Sequence, residues 1–170
     1  MFIVKAGYSS EIELRSGIDA ARAFFADVSN FVRHMPGIAQ IHKDAGGIAH
    51  WRIEADIPLV GRMLQQFAVE LAEDTPERIE WAPAHGEKQN FLRYSADFVE
   101  KAKGVTQVYF SQMVELRRNS ARELHLLAGL AGESLIGSEM TKKIREMIRI
   151  FIEKAKEHLE SVPPAAAQEP

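Results

Sequence analysis

The chain contains no cysteine, which excludes disulfides, thiolate metal sites and a cysteine nucleophile. It also lacks a basic block. Its 21 Lys and Arg stand against 24 Asp and Glu, a formal net charge of -3, so no cluster could neutralise a run of phosphates, and nucleic acid is not an expected partner. No segment approaches about 18 consecutive apolar residues, so stable membrane insertion is not expected. The opening MFIVKAGYSS has no charged-then-apolar leader layout, which makes the cytoplasm the expected location. No G-x-S-x-G, P-loop or Rossmann glycine pattern occurs. The six histidines, His34, His42, His50, His85, His125 and His158, are scattered, and no two flank a carboxylate at i, i+4. Neither a metal, nor another cofactor, nor a defined catalytic residue is therefore expected.

What the sequence does have is periodicity. Hydrophobic content of 46% and charged content of 26% are ordinary for a globular protein. A chain of 170 residues makes one domain able to bury roughly 70% of its unfolded surface. The longest periodic segment runs from Ser138 to Ser161. Ile136, Met140, Ile144, Ile148 and Ile152 recur at steps of four, flanked by Met147, Phe151, Ala155 and Leu159, which makes one apolar helical face. Lys142, Lys143, Arg145, Glu146, Arg149, Glu153, Lys156 and Glu157 occupy the other, with Glu139 and Lys143, and Glu153 and Lys156, spaced to pair. A helix of about 23 residues is about 35 Å long, and it needs an apolar surface of similar length to lie on. Ile144, Ile148 and Phe151 are predicted to be buried, and Lys142, Arg145 and Arg149 exposed.

Before this helix the period changes twice. Tyr8 to Leu14 alternates as a half-buried strand. Ile18, Ala21, Phe24, Phe25, Val28, Phe31 and Val32 then follow helical spacing until Pro36-Gly37, as two short helices broken near Ser29-Asn30. From Ile38 alternation holds for about 80 residues in six strands separated by Gly- or Pro-bearing turns, an antiparallel meander with one wet face. Tyr94 on that meander is expected to be a core tyrosine bonded to a carbonyl. In Arg118 to Gly137, leucines are interrupted by Gly129, Gly132 and Gly137. This fits a loop or short helix in which Leu126, Leu127 and Leu130 could gate a pocket. Residues 1–162 are predicted to be a single domain and 163–170 a disordered tail.

The order of strand, two short helices, six-strand meander and long terminal helix resembles the START and Bet v 1-like (SRPBCC) superfamily, including its polyketide cyclase/dehydrase and lipid-transport types. Two local runs carry the same resemblance: Phe24-Phe25-x-Asp27-Val28-x-Asn30-Phe31 leading to Met35-Pro36-Gly37, and Arg78-Ile79-Glu80-Trp81. The resemblance implies an α+β helix-grip fold, a seven-stranded curved antiparallel sheet wrapped on a long C-terminal helix. That fold hosts ligand carriers, cyclases, hydrolytic and chaperone-binding members, so it assigns no activity.

A curved sheet gripping one helix leaves space between them for an apolar ligand. Strand parity sends Trp51, Phe67, Trp81, Tyr94 and Phe110 to the concave face, opposite Met140, Ile144, Met147 and Phe151. A cavity of roughly a few hundred Å³ is expected among them. Gln65 and Gln112 share that face, where a side-chain amide without partners costs roughly 1–3 kcal/mol. Both are candidates to meet a ligand. The favoured expectation is a non-enzymatic carrier of a lipid, isoprenoid or polyketide-like molecule. The alternative is a cyclase/dehydrase-like enzyme acting on a polyketide or aromatic substrate, with His34, Tyr94 or His125 moving protons. A full pocket would leave only a protein-interaction module.

Overall fold

The computed structural model describes residues 1–161, and the tail expected at 163–170 lies outside them. Strand β1 (Phe2–Leu14) is followed by helices α1 (Ile18–Ala26) and α2 (Ser29–His34). The meander comprises β2 (Ile38–Lys43), β3 (Ala49–Ile57), β4 (Gly61–Asp74), β5 (Arg78–Pro83), β6 (Asn90–Ala102) and β7 (Val105–Arg118). A 3-10 turn (Ala121–Glu123), α3 (Ala128–Ala131) and α4 (Glu133–Ser161) complete the described chain. The seven strands form one curved antiparallel sheet in the order β1-β7-β6-β5-β4-β3-β2. Its inner face carries the core, with Leu92, Tyr94, Ala96 and Phe98 on β6 and Val108, Phe110, Gln112, Val114 and Leu116 on β7 all buried.

Four features differ from the sequence reading, each for a structural reason. β1 begins at Phe2 rather than Tyr8, because it pairs with β7 from Phe2↔Arg118 through Leu14↔Thr106. The partner strand sets its length, and Phe2, Val4 and Ala6 are buried there. The helix pair breaks at Asp27-Val28, two residues early. Asp27 Oδ1 accepts the Ser29 backbone N–H at 2.9 Å and so satisfies one free donor at the start of α2, while Asn30 Nδ2 donates to Phe24 O at 2.8 Å. Leu71, which alternation with Phe67 and Val69 would place inside, is exposed beside a register shift between Leu71 and Glu73.

The fourth difference is the start of α4 at Glu133, not Ser138. Gly132, at φ 91°, ends α3 and lets the chain turn into the new helix. Gly137 sits inside α4, where an added Cβ would lie 4.0 Å from the Phe2 ring. The helix therefore has 29 residues, about 44 Å at 1.5 Å each. Ile148 and Phe151 are buried and Lys142, Arg145 and Arg149 exposed, while Ile144 is half-buried. The ion pairs on its outer face are Glu139 with Lys142, Arg149 with Glu153 and Lys156 with Glu160. Lys143, expected opposite Glu139, turns elsewhere.

Candidate functional site

The space between α4 and the sheet is filled unevenly. Under the C-terminal half of α4, Phe31 stacks on Phe151 with ring centroids 4.3 Å apart, and it meets Tyr94 at 4.7 Å and Trp51 at 5.0 Å. Phe24, Phe25 and Phe110 join Phe151 within 6.2 Å. This half is solid aromatic core.

Under the N-terminal half of α4 the packing opens into an apolar cavity with about 50 Å³ of free space. Met140, Ile144, Met147 and Ile148 of α4 form its roof. Met35, Ile53, Ala55, Ile57, Met63 and Phe67 form one side, and Val114 and Leu116 lie on the floor. Four of the six methionines of the chain line it. The expected few hundred Å³ is not free in this conformation, because thioether side chains occupy it, and these are the side chains that rearrange most easily.

Two amides break the apolar wall. Gln112 is 2% exposed, and its Oε1 has no hydrogen-bond partner. Gln65 is anchored from behind: its Oε1 accepts from Arg118 Nη2 at 2.8 Å and from Asn90 Nδ2 at 3.5 Å. Arg118 also donates to Asn90 Oδ1 at 2.7 Å and to the backbone oxygens of Arg117 and Gln89 at 2.7 and 3.3 Å. Its neighbours are neutral acceptors and burial lowers its pKa, opposed by the charges of Glu123 and Glu87.

The cavity opens toward the Pro36-Gly37 turn. A surface groove lined by Pro36, Gly37, Glu54, Asp56 and Arg62 shares Ala55, Lys143 and Met147 with it. Gly37 has φ 89°, and a Cβ there would stand 2.6 Å from Glu54 O and 2.8 Å from Met147 Cε. Only glycine lets the turn pass this close to the helix. Half-buried Lys143 stands at the rim, with no acidic partner among the described residues.

No family model matches the sequence, and no curated protein matches it at a significant level. Solved structures do. A conserved protein from Geobacillus kaustophilus aligns over 92% of this chain and 95% of its own, with a TM-score of 0.63 and 14% identity. The Zhui aromatase/cyclase from Streptomyces sp. R1128 aligns over 95% and 99%, at 0.59 and 10%. The di-domain ARO/CYC BexL from the BE-7585A biosynthetic pathway aligns over 94% of this chain at 0.60 and 14%. This chain has the START/Bet v 1-like helix-grip fold. It spans about half of BexL, 52% of that chain, and at such identities the likeness is one of fold.

Within this helix-grip fold the expected site residues divide. Gln65, Phe67, Gln112, Met140, Ile144 and Met147 meet at the cavity, whereas Trp51, Trp81, Tyr94, Phe110 and Phe151 belong to the aromatic core beside it. Strand parity names the face and not the position along it, so it could not separate the two groups. Met35, Met63 and Lys143 were missed, although Met63 lies on the same alternation as Gln65 and Phe67.

The proton-transfer candidates lie off the cavity wall. His34 packs against Phe24 and His158, and His125 Nδ1 accepts the Leu127 backbone N–H at 3.1 Å. Tyr94 is not bonded to a carbonyl: its hydroxyl has no partner, like the Nε1 atoms of Trp51 and Trp81. Burial, with the Asp27 carboxylate adding to it, raises the Tyr94 pKa well above the ordinary phenol value. The segment expected to gate the cavity does not line it, and Leu126 and Leu130 are exposed. Of its glycines, Gly129 lies within α3, Gly132 ends α3 and Gly137 fits within α4.

Proposed function

We propose that this protein binds and carries a hydrophobic small molecule, a lipid, isoprenoid or polyketide-like compound, between α4 and the sheet. The observation that carries this reading is the methionine-walled cavity, in which Lys143 at the rim is the one titratable lining residue among those described. Such a wall offers apolar contact and shape adaptation, worth about 25 cal/mol per Å² buried before ordering costs. It offers no acid/base pair. The rival reading, a cyclase/dehydrase-like enzyme, fits the presence of aromatase/cyclases such as BexL and Zhui among the structural neighbours, but its candidates His34, Tyr94 and His125 stand away from the wall.

The free space of about 50 Å³ is below the roughly 300–1,000 Å³ of small-molecule sites, so an occupant must widen it. Rotation of Met140 and Met147, and outward movement of Met147 past Gly37, would do so. Native mass spectrometry after incubation with a panel of isoprenoid alcohols, fatty acids and polycyclic aromatics tests the reading. A one-to-one complex is expected, weakened by Met140→Phe, which narrows the cavity. No complex with any member, and none in an organic extract of the purified protein, would reject it.

A further inference from the structure

We propose that the occupant is an apolar acid, whose single carboxylate stays at the rim on the Lys143 ammonium while its chain runs inward beneath α4. The inference rests on the carrier reading and adds what that reading leaves open, the charge of the ligand and the direction in which it lies.

Lys143 stands where the apolar wall meets water. It lines both the chamber and the surface groove at the Pro36-Gly37 turn, as do Ala55 and Met147. Met147 lies one helical turn further along α4 and Met140 nearly one turn back, so Lys143 borders the methionine face, and the residue is half-buried. The carboxylates around it are engaged elsewhere. Glu139 pairs with Lys142, and Glu54 with Arg52 and Arg62. Asp56 stands opposite Arg62 in the β3–β4 register, and Glu146 lines a different groove, beside Gly7 and Tyr8. An ammonium partly withdrawn from water is thus left at the mouth of the chamber with no ion pair to any described residue.

A carboxylate at this point makes a charge-assisted hydrogen bond with the ammonium, stronger than the one an alcohol or ketone makes there. Its remaining lone pairs keep the water of the groove, so the cost of burying an anion does not arise. The reverse direction, carboxylate inward, would set the charge among Val114, Leu116 and Ile57, where no second cation is found among the described lining residues. A doubly charged head, such as a phosphate monoester, fits less well, because Lys143 answers one charge while Glu54 and Asp56 line the same groove. A cationic head meets Lys143 itself. The ligand therefore enters chain first, with its apolar body along the methionines.

Titration calorimetry at low salt with octanoate, 1-octanol, octylammonium and octyl phosphate tests this, since the four share one chain and differ in the head. The wild type should bind octanoate about fivefold more tightly than 1-octanol, the upper end for a partly exposed ion pair, and neither other probe more tightly than octanoate. Raising the ionic strength to about 0.5 M should shrink the preference. Lys143→Met, which keeps an apolar stem without the charge, should bind octanoate no more tightly than 1-octanol; Lys143→Gln replaces it if that variant does not fold. Octanoate binding no tighter than 1-octanol in the wild type, tighter binding of octyl phosphate or octylammonium, a preference indifferent to salt, or one that survives Lys143→Met would each overturn the acid assignment while leaving the carrier reading standing. Failure of all four probes to bind would overturn both.

Discussion

The two halves of the space beneath α4 are built from different side chains, and the difference decides where a ligand could go. Toward its C-terminus the helix sets Phe151 into a stack of rigid rings, with Phe31 and Phe110 beside it. Toward its N-terminus it sets Met140 and Met147 over Met35 and Met63. Aromatic rings have two torsions and pack to crystal-like density, whereas thioethers keep several arrangements of similar energy. The same helix and sheet therefore make a rigid anchor at one end and a deformable chamber at the other.

The sharpest way to break this comparison is to truncate one residue on each side. Phe151→Ala should cost about 3–5 kcal/mol, because Phe151 is fully buried among rings that cannot collapse into the void. Met140→Ala should fall near the low end of its class, about 2 kcal/mol, because flexible neighbours can close around it. Urea unfolding of both variants at unchanged m-value checks the ordering. Equal losses would show that the two halves are equally rigid.

Gly37→Ala is the next largest, at about 1–3 kcal/mol, since it forces a side chain into positive φ and against Glu54 O and Met147 Cε. Its diagnostic effect is on the chamber: the Met147 methyl NMR signal should shift, and that of Leu92 in the packed region should not. An unmoved Met147 would mean that the turn gives way instead of the helix.

The sequence made the succession of elements legible because periods of 2.0 and 3.6 report faces directly, and Ile38–Lys43 and the six-strand meander followed from that alone. Strand β1 before Tyr8 was harder, since Gly7 and Lys5 blur an alternation that only pairing with β7 explains. The start of α4 was hidden for a related reason. Gly137 reads as a breaker, yet it lies in the helix facing Phe2, a residue more than 130 positions away. For the site, the amides stood out because polar groups on an apolar face are conspicuous, and Gln65 and Gln112 both line the cavity. The division between aromatic core and chamber was not legible. It depends on which part of α4 lies over which part of each strand, a tertiary offset that no local period encodes.

Gln112→Leu probes the chamber with a smaller effect of opposite sign. Removing a buried amide whose Oε1 is unpartnered should raise stability by about 1 kcal/mol in the ligand-free protein, as when an unsatisfied polar group is replaced by an apolar one of similar shape. Thermal unfolding should show a higher midpoint, and a lower one would mean that the amide is already satisfied by water in the cavity.

The smallest expected effect lies at the anchored end and depends on pH. His34 of α2 packs 5.3 Å from the His158 ring of α4, with Phe24 beside both. Burial lowers its pKa below the ordinary 6.5, and the charges of His158, Lys154 and Arg33 lower it further. A histidine whose folded pKa is depressed favours the neutral form, so between the folded and unfolded values the unfolded chain binds more protons. Its stabilising effect is complete above about pH 6.5 and is lost as pH falls through that value toward the folded one. The carboxylates held below their ordinary range, Asp27 and Glu80 among them, act only at lower pH and do not enter this window. The urea midpoint should therefore fall between about pH 7.5 and about pH 5.5 in the wild type, and less in His34→Gln. An equal fall in both proteins would assign the acid sensitivity to other groups. Apolar ligand affinity should stay constant over the same interval, because no histidine or carboxylate lies among the described residues of the chamber wall. An affinity that tracked the stability loss would mean that the anchor and the chamber open together.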